Sequence, residues 1–170
     1  MHQSIINFTN IQNSIKENQE KTNNKNNIKI IAVSKTFEIS HINPLIDYGH
    51  TDFGENKVQE AIEKWSDIKY KNQNLSLHLI GKLQSNKTKL ALKIFDYIHS
   101  LDSEKLASKI SEEQKKIDKK PKLFIQVNIG NEDQKSGVNP NKLKSFYKYC
   151  LDKDLDVIGT MCLPPISEDP

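Results

Sequence analysis

The sequence predicts an α/β protein built on a parallel sheet, and three observations point there. Short apolar runs of strand length alternate with segments of helical periodicity along the whole chain. Six such strand–helix units fit in 170 residues, a length that suits one domain with a sizeable core. The polar residues best able to do chemistry recur just past the C-terminal end of each expected strand, the edge where parallel α/β sheets bind ligands. A parallel sheet is covered on both faces, so it is either doubly wound or closed into a barrel. Six units do not choose between the two, because a (β/α)8 barrel needs eight.

The elements follow in order. Phe8, Ile11 and Ile15 fall on one face of an opening helix, and a polar linker is expected from Asn18 to Asn27. Residues 1–27 thus form an N-terminal helix and linker ahead of the first unit. Ile28 to Val33 is the first strand, broken only by Lys29 and ending at Ser34-Lys35-Thr36. A helix around Ile42 to Tyr48 is closed by Gly49, a residue suited to a left-handed C-cap. Thr51 to Phe53 is a short second strand, followed by Val58, Ala61, Ile62 and Trp65 at helical spacing. Leu75 to Ile80 is the third strand, Thr88 to Leu92 part of a helix, and Phe95 to His99 the fourth strand. Ser103 is placed to cap a helix carrying Leu106, Ala107, Ile110 and Ile117. Leu123 to Val127 is the fifth strand, and Asn139-Pro140 reads as an N-cap with proline at the first helical position. Leu143, Phe146, Tyr147, Cys150 and Leu151 line that helix, Leu155 to Thr160 is the sixth strand, and Pro164-Pro165-Ile166 follow soon after.

Composition narrows the function classes. Hydrophobic residues make up 35% and charged residues 28%, with a net charge of +3. All 25 basic residues are lysines, scattered along the chain, so no arginine fork is available for nucleic acid and no nucleic-acid partner is expected. No apolar run approaches the roughly 20 residues that cross a bilayer, and the start MHQSIINFTNIQ lacks a basic stretch before an apolar core. Cys150 and Cys162 have no metal-ligand spacing. A cytoplasmic, monomeric protein without a membrane partner or a metal is the expectation.

The site is expected at the strand ends. Lys35 follows the first strand, Gly54-Glu55-Asn56 the second, Gly81 to Asn86 the third, Ser100 and Asp102 the fourth, Asn128-Ile129-Gly130 the fifth, and Met161-Cys162 the sixth. Side chains alternate faces with period two. His78 therefore opposes Leu77 and Leu79, and Gln126 and Asn128 oppose Leu123, Ile125 and Val127. If the apolar sets pack on helices, His78, Gln126 and Asn128 point into a barrel. Lys35 shares its parity with Val33 and Ile31, so alternation leaves its side open. A lysine partly desolvated at a strand end is a nucleophile suited to an aldehyde; an exposed surface lysine is the competing reading.

The stretch IAVSKTFEISHINPLIDYGHTDFGENKVQEAIEKW resembles the opening of the pyridoxal-phosphate homeostasis proteins, relatives of the alanine racemase N-terminal domain. Residues His78 to Lys87, Ile98 to Ser103, Gln126 to Ile129, Lys135-Ser136-Gly137 and Gly159 to Pro165 continue the likeness in order. The resemblance implies a TIM-type (β/α)8 barrel of which about six units are present, as a single PLP-binding domain over residues 1–170, incomplete at its C-terminus. It implies pyridoxal 5'-phosphate (PLP) as cofactor, held as a Schiff base on Lys35, with Asn56 in the pocket and His78 and Met161 around the ring. Glu55, Gln84 and Asn86 are expected either to order loops or to meet the ligand. The family's phosphate cup lies in Ser-Met-Gly-Met and Arg-x-Gly-Thr segments beyond the sixth strand, which these residues do not include, so weakened retention of PLP is expected. The implied function is intracellular PLP (vitamin B6) homeostasis without catalysis, with PLP-dependent apoenzymes as partners; a PLP-dependent amino-acid racemase is the alternative.

Overall fold

Six parallel strands pair in chain order, each with its predecessor, in the computed structural model, which describes residues 2–130 and 136–163. After helix α1 (Gln3–Thr22) come β1 (Ala32–Val33), α2 (Ile39–Asp47), β2 (Asp52–Glu55), α3 (Val58–Lys71) and β3 (Ser76–Leu79). They continue with α4 (Thr88–Ile94), β4 (Tyr97–Leu101), α5 (Glu104–Ile117), β5 (Lys122–Gln126), α6 (Leu143–Asp152) and β6 (Asp156–Met161). This order decides what alternation left open. A doubly wound sheet reverses direction at a switch point, whereas here every crossover steps the same way. Right-handed crossovers that never reverse put all the helices on one face, as in the wall of a barrel.

The helix-facing side carries the core. Leu77, Leu79, Ile98, Leu123 and Ile125 are almost wholly buried and pack with Trp65, Leu92, Leu106 and Ile110 of the helices. Each such side chain contributes about 1.5–3 kcal/mol by leaving water. Two register shifts interrupt the ladders. Between Ile98 and Leu101 two residues, His99 and Ser100, stand opposite the single Phe124, and Ile158 is extra between Val157 and Gly159. Such bulges bend a strand and re-aim its side chains.

The elements match the expected ones within a few residues, with two larger differences. The first strand shrinks from Ile28–Val33 to Ala32–Val33. Among the described residues it pairs with β2 alone, which begins at Asp52, one residue before the partner of Ala32, so Ile28 to Ile30 have no ladder to join. The opening helix runs on through part of the expected linker to Thr22. Asn18 and Thr22 turn their side chains back onto the carbonyls of Ser14 and Asn18, and Asn23 closes the helix in the left-handed conformation. Only Phe8 of the proposed apolar stripe is buried, against Tyr48 and His50. Gly49 takes the expected left-handed conformation after α2, with φ +97°. Ser103 accepts the Leu106 N–H as a cap, whereas Asn139-Pro140 opens a 3-10 turn that leads into α6. Lys135 and Pro164-Pro165-Ile166 lie outside the described residues. No helix among those residues is long and apolar enough to cross a membrane.

Candidate functional site

Lys35 stands in the turn after β1 and is exposed, not partly desolvated as the sequence suggested. The backbone on both sides of it is tied down. The Ser34 N–H donates to the Gly54 carbonyl at 2.9 Å, which extends the β1–β2 ladder to the edge of the turn. The Ser34 hydroxyl donates to Glu55 Oε1 at 2.7 Å, and the Lys64 ammonium donates to the Ser34 carbonyl at 2.9 Å. On the other side the Thr36 N–H donates to Glu60 Oε1 at 2.8 Å. That backbone hydrogen bond is the foremost reason the Glu60 carboxyl sits below its usual range, with Lys64 adding to it. Glu55 is fully buried behind the sheet, where Lys64 and the Trp65 indole N–H, each at 3.0 Å, join Ser34 on the same oxygen.

Strand register settles the parity question as far as β1 reaches. Val33 pairs with Gly54, and Gly54 with His78, so the three share the face opposite the helices. A Cβ on Gly54 would meet Ile31 and Ile80 at 3.1 Å, which puts those two on the same face. Below them the interior is floored by rings. His78 stacks on Tyr97 with 4.2 Å between centroids, and His99 stacks on Phe124 at 4.3 Å. A Cβ on Gly159 would touch the Phe124 ring at 3.1 Å.

The floor is also a hydrogen-bonded chain. Asp52 Oδ1 lies 2.8 Å from Lys29 Nζ and 3.1 Å from His78 Nε2. A carboxylate only accepts, so His78 Nε2 carries the hydrogen, and Nδ1 accepts from His99 Nε2 at 3.0 Å. Burial pushes Asp52 upward, but hydrogen bonds from Lys29, His78 and Thr51 outweigh it and hold the carboxyl below its usual range. Burial likewise lowers His78, against the pull of Asp52. Burial foremost, then the His78 charge, lowers His99 to about 4. Both imidazoles are neutral near pH 7.

Of the four residues singled out from sequence, Lys35 and Asn56 stand just beyond the ends of adjacent strands. Asn56 is held from behind by Gly81, where any Cβ would collide with the Asn56 backbone. His78 lies two residues deeper on that face, 2% exposed, with both ring nitrogens engaged inside the protein. Met161 ends β6, the far edge of the sheet, paired with Gln126. Gln126 in turn donates to the Ser136 carbonyl at 3.0 Å, tying the strand end to the following loop. Cys162 is exposed and Cys150 buried. Sequence reasoning missed Glu60, Lys64 and Trp65 as partners of the lysine turn, and Asp52 and His99 as partners of His78. The i, i+4 spacing of Glu60 and Lys64 was readable, but it reads as an ordinary surface pair.

Comparison with known proteins then gives a consistent result. The alanine racemase N-terminal domain family matches residues 6–170. The pyridoxal phosphate homeostasis protein of Pasteurella multocida is 38% identical over 94% of this chain and 68% of its own length. That of Haemophilus influenzae is 40% identical over 86% of this chain and 62% of its own. This chain thus spans about two thirds of the curated relatives' length. Among solved structures, PipY of Synechococcus elongatus superposes with a TM-score of 0.76 at 33% identity without PLP. With PLP bound, the same protein gives 0.74 at 32%, covering 90% of this chain and 72% of PipY.

Proposed function

We propose, from the premise that this chain belongs to the pyridoxal phosphate homeostasis protein family within the alanine racemase N-terminal domain fold, that it binds PLP and holds it covalently on Lys35. The observation that carries the reading is the braced turn that presents Lys35 beside Asn56 at the ligand-binding edge of the sheet. The residues present fit the aldehyde end and the ring of PLP. Ile31 and Ile80 close over Gly54 on the interior face and give the ring an apolar wall above the imidazole and phenyl floor. Bound PLP supplies an aldehyde that condenses with an amine and releases water. Lys35 supplies the amine, Asn56 a side-chain amide at the neighbouring strand end, and Met161 an apolar contact across the mouth. His78 supports the pocket from beneath, through its bonds to Asp52 and His99.

The reading extends to binding without turnover of amino acids. Racemisation needs a second acid or base across the ring. Two groups of that kind, Glu60 and His78, are committed elsewhere: Glu60 to Thr36 and Lys64, His78 to Asp52 and His99. Carriage of PLP in the cytoplasm, with delivery to apoenzymes, completes the proposal; the names of the relatives support its coarser part, a role in PLP homeostasis.

Borohydride reduction of the PLP-treated chain followed by peptide mapping should place the pyridoxyl group on Lys35. Label on another lysine, or total label undiminished in Lys35→Ala, overturns the assignment. Incubation of the loaded protein with L-alanine in deuterated water should give no Cα exchange above free PLP; exchange well above that level would favour a racemase.

A further inference from the structure

The turn carrying Lys35 has a conformation its own sequence disfavours. The Phe37 N–H donates to the Ser34 carbonyl at 3.2 Å, closing a four-residue turn with Lys35 second and Thr36 third. Thr36 has φ +65°. A left-handed residue at that place is ordinarily glycine or asparagine, and a β-branched side chain there is strained. Such strain persists only where the surroundings over-determine the backbone. Here they do. Glu60 reaches 24 positions back to take the Thr36 N–H, and Lys64 reaches 30 back to the Ser34 carbonyl. Glu55 holds the Ser34 hydroxyl from a fully buried position and neutralises Lys64, whose side chain is only 11% exposed.

A Glu–Lys pair one helical turn apart normally contributes little, because both heads remain in water. In this protein the heads of Glu60 and Lys64 are directed at backbone atoms on either side of one lysine, while their mutual distance is a loose 3.3 Å. We propose that Glu60, Lys64 and Glu55 are positioning residues for Lys35: they hold the strained turn in one conformation, so that the amine is presented to its ligand without searching. This rests on the reading that Lys35 carries PLP. Lys64 has its own donors engaged and is a strut in this arrangement, not a second site of attachment.

The test uses the full chain with Glu60→Ala, Glu60→Gln and Thr36→Gly, the last also combined with Glu60→Ala. PLP affinity is read from the absorbance of the adduct, and the exchange rate of the Thr36 amide is read without PLP. Glu60→Ala should weaken PLP binding about tenfold and speed Thr36 amide exchange by a similar factor. Its Tm should change little, since Glu60 lies on the helix surface. Glu60→Gln keeps an acceptor oxygen and should restore most of the affinity. Thr36→Gly removes the strain and should soften the effect of Glu60→Ala. Wild-type affinity in Glu60→Ala, with label still on Lys35, overturns this inference and leaves the PLP reading standing. Absence of label on Lys35 in the wild-type chain overturns both.

Discussion

A Cβ placed on Gly81 would stand 2.3 Å from the Asn56 carbonyl oxygen, and 2.8 Å and 2.9 Å from its Cα and carbonyl carbon. The loop after β3 therefore presses on the backbone of Asn56 through the one residue type that allows it. All three contacts are backbone atoms, so no side-chain rotation can relieve the clash.

Gly81→Ala should accordingly displace Asn56. Overpacking of this kind costs about 1–3 kcal/mol, a fall in Tm of roughly 3–10 °C for a chain of this size. PLP affinity should fall by more than the stability loss explains, because the displaced residue is in the proposed pocket. Gly49→Ala is the control: φ +97° strains it, yet a Cβ there meets nothing within 4 Å. It should lower Tm and leave PLP affinity intact. Equal PLP affinity in Gly81→Ala would remove Asn56 from the pocket.

The strand–helix alternation, the parity of His78 and the helix-facing leucines were legible because period and apolarity are local properties of the sequence. The register of the sheet was not, and register is what brings Asp52, His78 and His99 together from three strands. The side of Lys35 was ambiguous for the same reason: Val33 acquires a face only through its pairing with Gly54. The brace on the lysine turn was illegible because its parts lie on β2 and α3, and Glu60 and Lys64 look like any solvated pair until the Thr36 N–H and Ser34 carbonyl are placed before them. The early start assigned to the first strand came from reading Ile28 to Ile31 by apolarity alone; hydrogen-bonded pairing begins only where β2 does.

Asp52 should separate charge from hydrogen bonding in the floor. Asp52→Asn keeps an oxygen for the His78 Nε2–H and loses the ion pair to Lys29, whose side chain is half exposed. A cost of about 0.5–1 kcal/mol is expected for that exposed pair. Asp52→Ala leaves the buried His78 donor without its acceptor and should cost about 1–3 kcal/mol. Urea denaturation measures both. Indistinguishable losses in the two variants would mean that the His78–Asp52 bond contributes nothing.

The last prediction concerns acid. Burial, with His78 alongside, lowers His99 from an ordinary 6.5 to about 4. The unfolded chain therefore takes up a proton below pH 6.5 that the folded protein refuses until near pH 4. Under proton linkage, stability rises with pH wherever the unfolded state binds more protons. The contribution is complete above pH 6.5 and is lost progressively as the pH falls towards 4. His50 and His78 are lowered first of all by burial as well, and they add to the same slope. Glu60 and Asp52, held below their usual range, extend the loss at lower pH, once the unfolded carboxyls begin to protonate. The urea midpoint should therefore drop steadily between pH 7 and pH 5. His99→Phe keeps a ring over Phe124 but cannot be protonated, and it should flatten that drop while lowering stability at pH 7 through the lost bond to His78. A pH dependence of the same slope in His99→Phe would show that His99 is not the group that titrates.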